Sequence, residues 1–412
     1  MRKRGVLRTS LHALFCLFLC LLFISGSAAG AGKVHRGTLT DASGTGSEVT
    51  GHWRKYKSGR VRFIDEESGQ YLKGWLQLEK YTYYLGEKGF RVTGLKQIGD
   101  QHYCFNDQGR IQTGLMSAGG LLYFYDPEAG GARLREASRK VDGVEYYFGA
   151  DGAAVRNQFL PSGAFADEKA HPIRKSTIRQ FLETAMQPVG ACMYVWGGGW
   201  NDDDSGSGVD AVTMGVSPTW KAFFEKQNSS YSVSDTRFQR RNGLDCSGFV
   251  GWALYNSFNE ESGHGGYVML AQNMARSYAD WGWGSYTPAG TVRTFSPGDI
   301  MSTSAGHVYI VLGSCGDGSV VLVHASPKGV MISGTPARNG NTKSEANDLA
   351  TSAMKKNFPA WYAKFPDSSR PGSYLTSYSC MHWTVSGEKC VMEDPEGFQK
   401  MSAEEVLKRL FP

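Results

Sequence analysis

The sequence of 412 residues predicts an all-β solenoid of short hairpins followed by an α+β domain. The solenoid is predicted because glycines and aromatic residues recur every twenty residues between 51 and 155. The α+β domain is predicted because helical and strand patterns alternate after residue 176. Within that domain Cys246 begins a helical segment, and His307 and His324 follow on two strands. These three side chains indicate chemistry rather than scaffolding alone.

The first 31 residues predict a signal peptide that is removed on export. Four basic residues precede an apolar run from 11 to 24, and Ala29-Gly30-Ala31 fits a cleavage site. The run is too short for an ordinary membrane span, so no stable span is expected, with an uncleaved anchor as the alternative. Removing the peptide lowers the formal net charge from +5 to +1. A nearly neutral chain without a basic stripe argues against nucleic acid as a partner.

Residues 32–50 are small and polar, which predicts a flexible leader. Between 51 and 155 a unit of twenty residues repeats, because Gly74, Gly94 and Gly114 keep this step and aromatic residues follow it. Each unit predicts two short strands joined by a glycine turn. One hairpin cannot bury its own aromatic face, so successive units are expected to stack.

These units resemble the cell-wall-binding repeats of the choline- and glucan-binding type, whose pattern is Gly-Trp, a Tyr-Tyr or Tyr-Phe pair and a glycine turn. Gly74-Trp75 carries the Gly-Trp pair, whereas the next two units have Gly-Leu there. The resemblance implies a wall polymer, choline or glycan, as partner. It would be held by Trp75, Tyr83 and Tyr103, with cation–π attraction in the case of choline. The alternative is that these aromatic side chains only form the solenoid core.

Residues 156–175 contain two prolines and a charged run, which predict a linker. The remaining 176–412 is long enough for one domain with its own core. Its first helix is expected to be capped by Ser176, because apolar residues follow at helical spacing up to Met186. The segment Tyr194–Gly199 predicts a strand that runs into a glycine turn.

A second helix is predicted with Asp245 as its cap and Cys246 in its first turn. The partial positive charge at a helix N-terminus lowers the pKa of a thiol. A histidine within reach then holds the thiolate ready as a nucleophile. This segment therefore predicts a reactive cysteine, although a buried structural cysteine is the commoner fate of a cysteine taken alone.

Two strands downstream are predicted to bring the histidines together. One begins at His307 and the other ends at His324, with a turn over 313–318 between them. If Leu312 faces Ser319, then His307 faces His324 across an antiparallel hairpin. A slip of two residues in register keeps both side chains on one face. This geometry suits a base and the group that orients it.

Four sequence blocks then carry a family resemblance: Tyr-Val-Trp-Gly-Gly from 194, Asp-Cys-Ser-Gly-Phe-Val from 245, Pro-Gly-Asp from 297, and His-Val-Tyr-Ile-Val-Leu-Gly from 307 with Val-His-Ala-Ser beyond it. In this order they resemble the NlpC family of cell-wall cysteine peptidases, a circularly permuted papain-like fold. The resemblance implies an α+β papain-like domain with Cys246 as nucleophile, His307 as base and His324 as the orienting group. It also implies substrate contacts by Tyr194, Asp245 and Ser247, without a cofactor.

That family cleaves peptidoglycan stem peptides, typically between γ-D-glutamate and the following diamino acid. The expected protein is therefore a secreted, cell-wall-associated bacterial cysteine endopeptidase that works through a thioester. Its expected partners are stem peptides and a wall polymer. An N-acetylmuramoyl-L-alanine amidase or an acyltransferase with the same Cys–His site is one alternative, and a catalytically inactive wall-binding adhesin is another.

Two segments depart from the family pattern. An insert at about 200–240 lengthens the stretch before Cys246 and could form a lid over the cleft. Residues 331–412 have no counterpart, although the end of the chain predicts a helix with Val406, Leu407 and Leu410 on one side.

Cysteine spacing leaves disulfides open and gives no metal motif. Six cysteines follow the signal peptide, and Cys380 and Cys390 are close enough for a local bridge, which export permits without requiring. No Cys-x-x-Cys or His-Glu-x-x-His spacing is present, so no metal site is expected.

Overall fold

The computed structural model describes residues 33–40 and 44–412. The predicted signal peptide, 1–31, lies outside these residues. The chain divides into two compact units, unit 1 up to Gln112 and unit 2 from Thr113 onward. This division differs from the domain limits expected from the sequence, which stay a prediction. Within the described ranges, no helix is both long and apolar enough to cross a membrane.

Unit 1 is built from antiparallel hairpins. Its strands are β1 (Val34–Thr40), β2 (Gly46–Lys55), β3 (Val61–Asp65), β4 (Gly74–Leu78), β5 (Tyr81–Leu85), β6 (Gly94–Ile98), β7 (Gln101–Phe105) and β8 (Ile111–Gln112). They form a five-stranded sheet in the order β3-β2-β1-β4-β5 and a three-stranded sheet in the order β6-β7-β8. The buried core of the first sheet consists of Phe63, Leu76, Leu78, Tyr83 and Leu85.

The predicted flexible leader, 32–50, is wrong for the residues that the structure describes. Strand β1 pairs with both β2 and β4, and Leu39 packs against the core of the sheet. Its small residues allow neighbouring strands to approach closely, since a Cβ on Gly37 would lie 2.1 Å from the Gln77 carbonyl oxygen. Composition alone therefore suggested flexibility where the small side chains serve close packing.

The twenty-residue period corresponds to one hairpin in each repeat. Gly74 opens β4 opposite Leu85, and Gly94 opens β6 opposite Phe105. Both glycines have a positive φ, 98° and 72°, a conformation that other residues rarely adopt. The repeat thus requires a glycine where the chain enters each hairpin and a large apolar residue where it leaves.

Unit 2 is also rich in β-structure but contains all the helices described. Its strands are β9 (Gly114–Ala118), β10 (Leu121–Asp126), β11 (Ala132–Arg133), β12 (Ala137–Val141), β13 (Val144–Phe148), β14 (Gln158–Phe159), β15 (Phe165–Ala166), β16 (Ser176–Thr177), β17 (Met193–Tyr194), β18 (Gly243–Leu244), β19 (Gly284–Thr287), β20 (Ile300–Thr303), β21 (His307–Ser314), β22 (Val320–Ser326), β23 (Gly329–Gly334), β24 (Ser379–Trp383) and β25 (Met392–Glu393). Its helices are α1 (Ile178–Met186), α2 (Pro218–Glu225), α3 (Cys246–Phe258), α4 (Ala271–Asp280), α5 (Glu345–Asn357), α6 (Pro359–Lys364), α7 (Ser373–Thr376) and α8 (Ala403–Leu410).

The segment 156–175, predicted to be a linker, is packed within unit 2. It contains β14 and β15, and Asp167 is fully buried. The Asp167 carboxylate accepts hydrogen bonds from the backbone N–H groups of Lys169, His171 and Gly265. The segment is therefore a packed part of unit 2 rather than a linker, because backbone N–H groups satisfy the buried carboxylate of Asp167.

An eight-stranded sheet organises the rest of unit 2, in the order β18-β17-β23-β22-β21-β20-β24-β19. Side chains of α1, α3, α4, α5 and α8 form the main core against one face of it. Val308 and Ile310 of β21 point into this core, whereas Tyr309 and Val311 point to a second core on the opposite face. The period of two along β21 thus separates two sets of side chains.

The cap of α1 differs by one residue from the prediction. Thr177, not Ser176, caps this helix by accepting a hydrogen bond from the Gln180 N–H. Ser176 instead pairs in parallel with Met392 in a short bridge between β16 and β25.

The insert at 200–240 belongs to the core and is not a free lid. Trp220 is fully buried and packs edge-on against Trp252 of α3, with ring centroids 5.7 Å apart. The Tyr231 hydroxyl donates a hydrogen bond to the Tyr194 carbonyl oxygen at 2.6 Å. The segment therefore supports the strand before the site as well as covering it.

The C-terminal extension completes unit 2. Strand β24 lies between β20 and β19 in the large sheet. The predicted terminal helix is present as α8, and Val406 and Leu407 are buried while Leu410 packs at the edge of the core. Ser402 and Glu405 cap it reciprocally.

Candidate active site

Cys246 is the first residue of α3, and Asp245 caps this helix as predicted. The Asp245 carboxylate accepts hydrogen bonds from the Gly248 N–H at 2.7 Å and from the Ser247 hydroxyl at 2.8 Å. Helix α3 approaches the glycine turn after β17 closely, since a Cβ on Gly248 would lie 2.0 Å from the Gly198 carbonyl oxygen. The run Asp-Cys-Ser-Gly therefore fixes the thiol against that turn.

The thiol lies beside the start of β21, where this strand is not yet paired with β22. Their pairing begins at Ile310 and Val323, so the ladder is open ahead of Ile310. Cys246 Sγ is 3.7 Å from the Gly306 carbonyl oxygen, on the backbone that leads into β21. The helix therefore delivers its first side chain to the backbone directly before β21.

A cavity of about 270 Å³ opens onto this thiol. Its rim includes Trp196 and Leu270, whose side chains are about half exposed. The predicted substrate-binding residues Tyr194, Asp245 and Ser247 line it together with Cys246, Gly197, Trp200, Asp204, Ala271, Gln272 and Gly306. The structure therefore brings the predicted nucleophile and the three predicted substrate contacts into one cavity.

His307 and His324 lie next to each other on one face of the sheet. His307 Nε2 and His324 Nδ1 are 2.9 Å apart, and the ring centroids are 5.2 Å apart. The predicted pairing of these two residues is wrong, because the register of the last pair, Ile310 with Val323, would continue with Tyr309 opposite His324. The register differs by two residues from the predicted one, so the shared face is kept.

A β-bulge in β21 brings the two histidines to the same face of the sheet. At the turn Ser314 pairs with Val320, a register that would put the two histidines on opposite faces. The extra residue before Gly313 shifts the register by one and restores the shared face. A Cβ on Gly313 would lie 2.7 Å from Ala403 Cα, so a glycine at this position gives room for the start of α8.

A chain of polar groups continues behind the histidines. His324 Nε2 lies 3.1 Å from Ser333 Oγ, and Arg370 Nε donates to the same hydroxyl at 3.1 Å. His324 and Ser333 are completely buried. The order of groups is therefore His307, His324, Ser333 and Arg370, with the guanidinium at the far end.

The predicted lowering of the Cys246 pKa is wrong. Burial, and after it the charge of Asp245, raise the pKa of the Cys246 thiol to about 12. Burial, and after it the charge of Arg370, lower the pKa of His307 to about 4. Among the described residues, no hydrogen bond joins the Cys246 thiol to the His307 ring. At neutral pH the resting site thus holds a neutral thiol and a neutral imidazole.

The three predicted substrate contacts have distinct environments. Burial raises the pKa of the Asp245 carboxyl to about 6, although its hydrogen bonds oppose this shift. Trp200 Nε1 donates to Ser247 Oγ at 3.0 Å. Burial, and after it the charges of Cys246 and Asp245, raise the pKa of the Tyr194 hydroxyl, which lies next to the thiol. Tyr194 therefore remains protonated and able to donate a hydrogen bond.

Several residues around the histidines were not predicted from the sequence. The ring of Tyr374 lies 5.7 Å from that of His307 and the ring of Tyr378 lies 6.3 Å from it. Both tyrosines come from the C-terminal extension, where only their spacing of four residues hints at a shared helical face. Ser333 and Arg370 carry no sequence signal, because the fold alone brings them to the histidines.

A larger cavity, of about 1010 Å³, lies elsewhere in unit 2. Arg293, Arg338 and Arg370 line it, but the thiol does not. We place the candidate active site in the smaller cavity, because only a cavity that reaches the nucleophile can hold a scissile bond. Arg370 lines the larger cavity and also donates a hydrogen bond to Ser333, which lies next to His324.

Two of the three predicted repeat residues lie together. The rings of Trp75 and Tyr103 are 4.8 Å apart, and Tyr84 joins them at 5.0 Å from Trp75. Tyr83 is buried in a separate cluster, 5.1 Å from Trp53. The structure therefore separates Tyr83 from Trp75 and Tyr103.

Arginines of unit 1 already cover several aromatic faces. The Arg110 guanidinium lies 3.7 Å from the Tyr81 ring and that of Arg91 lies 5.5 Å from the Trp53 ring. Arg62 lies 4.3 Å from the Tyr71 ring. These rings therefore already have a cationic partner within the protein.

The six described cysteines are all free thiols. Cys380 and Cys390, which the sequence left open as a local bridge, are both buried and unpaired. Burial raises the pKa of Cys192 and of Cys380, and it raises that of Cys315 to about 11. These thiols are therefore protonated at neutral pH.

Comparisons with known proteins concern part of the chain. No family model matches it. Glucosyltransferase-I of Streptococcus downei is 34% identical over 167 residues, which are 39% of this chain and 10% of that protein. Glucosyltransferase-S of the same species is 34% identical over 128 residues, 30% of this chain and 8% of that protein. The solved structure of choline binding protein F from Streptococcus pneumoniae is 25% identical, with a TM-score of 0.27, over 33% of this chain and 44% of that one.

The chain therefore spans about a tenth of the length of these glucosyltransferases. The sequence similarity supports the repeat part of the resemblance stated above. The peptidase part stays a prediction.

Proposed function

We propose that residues 176–412, which lie in unit 2, form a papain-like, NlpC-type cysteine peptidase that cleaves peptidoglycan stem peptides outside the cell. The observation that carries this proposal is the Cys246 thiol at the start of α3, open to a cavity that is also lined by Gly306, the residue directly before His307, which lies beside His324. A nucleophile, a base and an orienting group in this order are what thiol acyl transfer needs. The bond proposed is the one between γ-D-glutamate and the diamino acid.

The first half-reaction starts from uncharged groups. Because the pKa of Cys246 is about 12 and that of His307 about 4, proton transfer accompanies attack on the substrate. His307 takes the thiol proton while Sγ bonds to the scissile carbonyl carbon, whose π electrons move to its oxygen. The oxyanion re-forms the carbonyl, the C–N bond breaks, and His307 gives its proton to the leaving amine. A thioester on Cys246 remains.

Hydrolysis completes the cycle. His307 takes a proton from water as the water oxygen attacks the thioester carbonyl. The C–S bond then breaks, the proton returns to sulfur, and a carboxylic acid leaves. The backbone N–H of Cys246, one of the first N–H groups of α3 that the helix itself does not use, is the proposed donor to the oxyanion.

The groups behind the histidines would set the tautomer that this mechanism needs. Arg370 can only donate, so Ser333 Oγ accepts its hydrogen bond and has a second lone pair for the His324 Nε2–H. His324 Nδ1 then accepts from the His307 Nε2–H. The free lone pair of His307 is therefore on Nδ1, and this is the nitrogen that takes the proton of the Cys246 thiol in the proposed mechanism.

Digestion of purified cell walls tests the proposal. We expect the wild-type protein to release a new amino group on the diamino acid, as read by mass spectrometry of the fragments. Cys246→Ser should abolish release, whereas Cys315→Ser, which alters another partly buried free thiol, should retain it. Release of an amino group on alanine would instead identify an amidase. Equal release by Cys246→Ser would refute the assigned nucleophile.

We further propose that unit 1 holds the protein on a wall glycan rather than on choline. Two observations support this: the Trp75–Tyr103 pair offers an aromatic platform, and arginines already cover Tyr81, Trp53 and Tyr71. The similarity to glucosyltransferases supports a glycan as ligand.

Retention assays distinguish these ligands. We expect Trp75→Ala to weaken binding to wall glycan, whereas Tyr71→Ala, in the same unit, should have little effect. Hydrolysis of a soluble stem peptide should be unchanged in both variants. Elution by free choline would contradict the glycan assignment.

A wall-binding adhesin without turnover is the second candidate. It is favoured by the raised pKa of Cys246 and by the missing thiol–imidazole hydrogen bond in the described part of the chain. Under this alternative, wild-type and Cys246→Ser proteins bind walls equally and neither releases fragments.

A further inference from the structure

Two histidines and an aspartate converge in unit 2 outside the candidate active site. One ligand atom from each of Asp167, His171 and His264 lies within 4.8 Å of the other two. Two imidazoles and a carboxylate are a donor set that Zn²⁺ takes in proteins, with a fourth position left for water. We propose that these three residues form a binding site for a divalent transition-metal ion of the Zn²⁺ type.

The spacing of two donors fits a shared metal ion. His264 Nδ1 and Asp167 Oδ2 are 3.3 Å apart. Two ligands at about 2.1 Å from Zn²⁺ and at a tetrahedral angle are about 3.4 Å apart. The third donor, from His171, comes from the segment that also carries Asp167.

An unsatisfied nitrogen marks the same position. His264 Nδ1 is buried and has no hydrogen-bond partner in the described ranges, although Asp167 Oδ2 is close to it. A buried imidazole nitrogen without a partner carries a desolvation cost. A metal ion bound by Nδ1 would remove this cost.

Other groups already hold the donors in place. Backbone N–H groups of Lys169 and His171 donate to Asp167 Oδ1 at 2.8 and 2.9 Å, and that of Gly265 donates to Oδ2 at 2.6 Å. The Tyr146 hydroxyl lies 3.1 Å from His171 Nε2 and orients that ring. Such partners of the ligands are typical of built metal sites.

Lys169, which lies between Asp167 and His171 in sequence, does not fill the site. The Lys169 ammonium is exposed and hydrogen-bonds to the Gly263 carbonyl oxygen at 3.1 Å. Its charge is therefore solvated at the edge of the cluster.

A metal here would join two distant segments. Asp167 and His171 follow β15, whereas His264 lies in the loop between α3 and α4. The same loop leads to Leu270 and Ala271, which line the cavity at the thiol. The ion would therefore order one wall of the candidate active site without touching the reacting atoms.

Calorimetry with Zn²⁺ alone tests the site in the full-length protein. The protein is stripped with chelator and carries Cys246→Ala, so that the active-site thiol cannot bind the metal. We expect one equivalent of Zn²⁺, with affinity reduced at least about 100-fold by His264→Ala or by His171→Ala. His382→Ala is the matched control, because His382 also pairs with a buried aspartate, Asp299, at 2.7 Å but has no second histidine. It should bind Zn²⁺ like the parent.

A variant of a second cluster and a Co²⁺ spectrum test whether the ion binds at the three assigned residues. Asp317→Asn alters a separate cluster of Cys315, Asp317 and Glu345, and loss of Zn²⁺ in this variant alone would overturn the proposal. Unchanged binding in His264→Ala and His171→Ala would overturn it as well. If those variants do not fold, the absorption spectrum of Co²⁺ in the parent replaces them. We expect a four- or five-coordinate site without a thiolate band, and a thiolate band would refute the assigned ligands.

Discussion

The close approach of α3 to the glycine turn gives a sharp prediction for Gly248→Ala. Helix propensity alone predicts that alanine stabilises this helical position by about 1 kcal/mol. The added Cβ would, however, lie 2.0 Å from the Gly198 carbonyl oxygen and 3.0 Å from Gly199 Cα. Both are backbone atoms that cannot rotate away, so overpacking costs about 3 kcal/mol. The net expectation is a loss of about 2 kcal/mol in the free energy of unfolding.

Urea denaturation of the variant and wild type measures this loss. Gly206→Ala is the control, because a Cβ there meets nothing within 4 Å; it should change stability by less than about 0.5 kcal/mol. The displaced helix should also move Cys246 away from its cavity and slow alkylation of that thiol. A Gly248→Ala protein as stable as wild type, or more stable, would refute the close-packing argument.

Three further predictions concern charge and burial. Burial raises the pKa of Asp245 from 3.8 to about 6. The free energy of unfolding of the wild type should therefore fall by about 3 kcal/mol between its value below pH 4 and its value above pH 6. Asp245→Asn should abolish this dependence, and the same pH dependence of stability in variant and wild type would contradict the prediction. Arg370 adds to burial in lowering the pKa of His307 to about 4, so Arg370→Met should move the acid limb of kcat/KM to higher pH, and an unchanged limb would count against the polar chain. Trp220→Ala should cost about 4 kcal/mol in urea denaturation because this side chain is fully buried; a loss below 1 kcal/mol would restore the lid interpretation of the insert.

The sequence predicted those features that depend on local chemistry. Asp245 caps α3 because its carboxylate reaches an N–H three residues ahead. Val406, Leu407 and Leu410 mark α8 by their helical spacing. Gly74 and Gly94 mark the hairpins by their step of twenty residues, and both have the positive φ that favours glycine. Each of these depends on residues within one turn or one hairpin of each other.

Features that depend on burial and long-range packing were missed. The helix N-terminus was expected to lower the pKa of Cys246, but enclosure of the thiol and the nearby Asp245 charge outweigh it. The bulge before Gly313 lies where the start of α8 approaches β21, a contact that no local pattern reveals. Ser333 and Arg370 reach the histidines only because β23 and the C-terminal extension pack next to them.

The prediction of a flexible leader was wrong for a related reason. Its small polar residues are typical of flexible segments, yet β1 is held on both sides by β2 and β4. Similarly, the segment around Asp167 was expected to be a linker, but three backbone N–H groups satisfy this carboxylate in the interior. Composition cannot report partners that arrive from elsewhere in the chain.

Covalent trapping of Cys246 tests the proposed chemistry most directly. A stem peptide whose scissile amide is replaced by a vinyl sulfone adds to a nucleophilic thiol, and peptide mapping by mass spectrometry then identifies the modified residue. The mechanism predicts a single adduct on Cys246, formed much more slowly in His307→Ala. An adduct on Cys192 or Cys315, or equal labelling of Cys246 without His307, would contradict it.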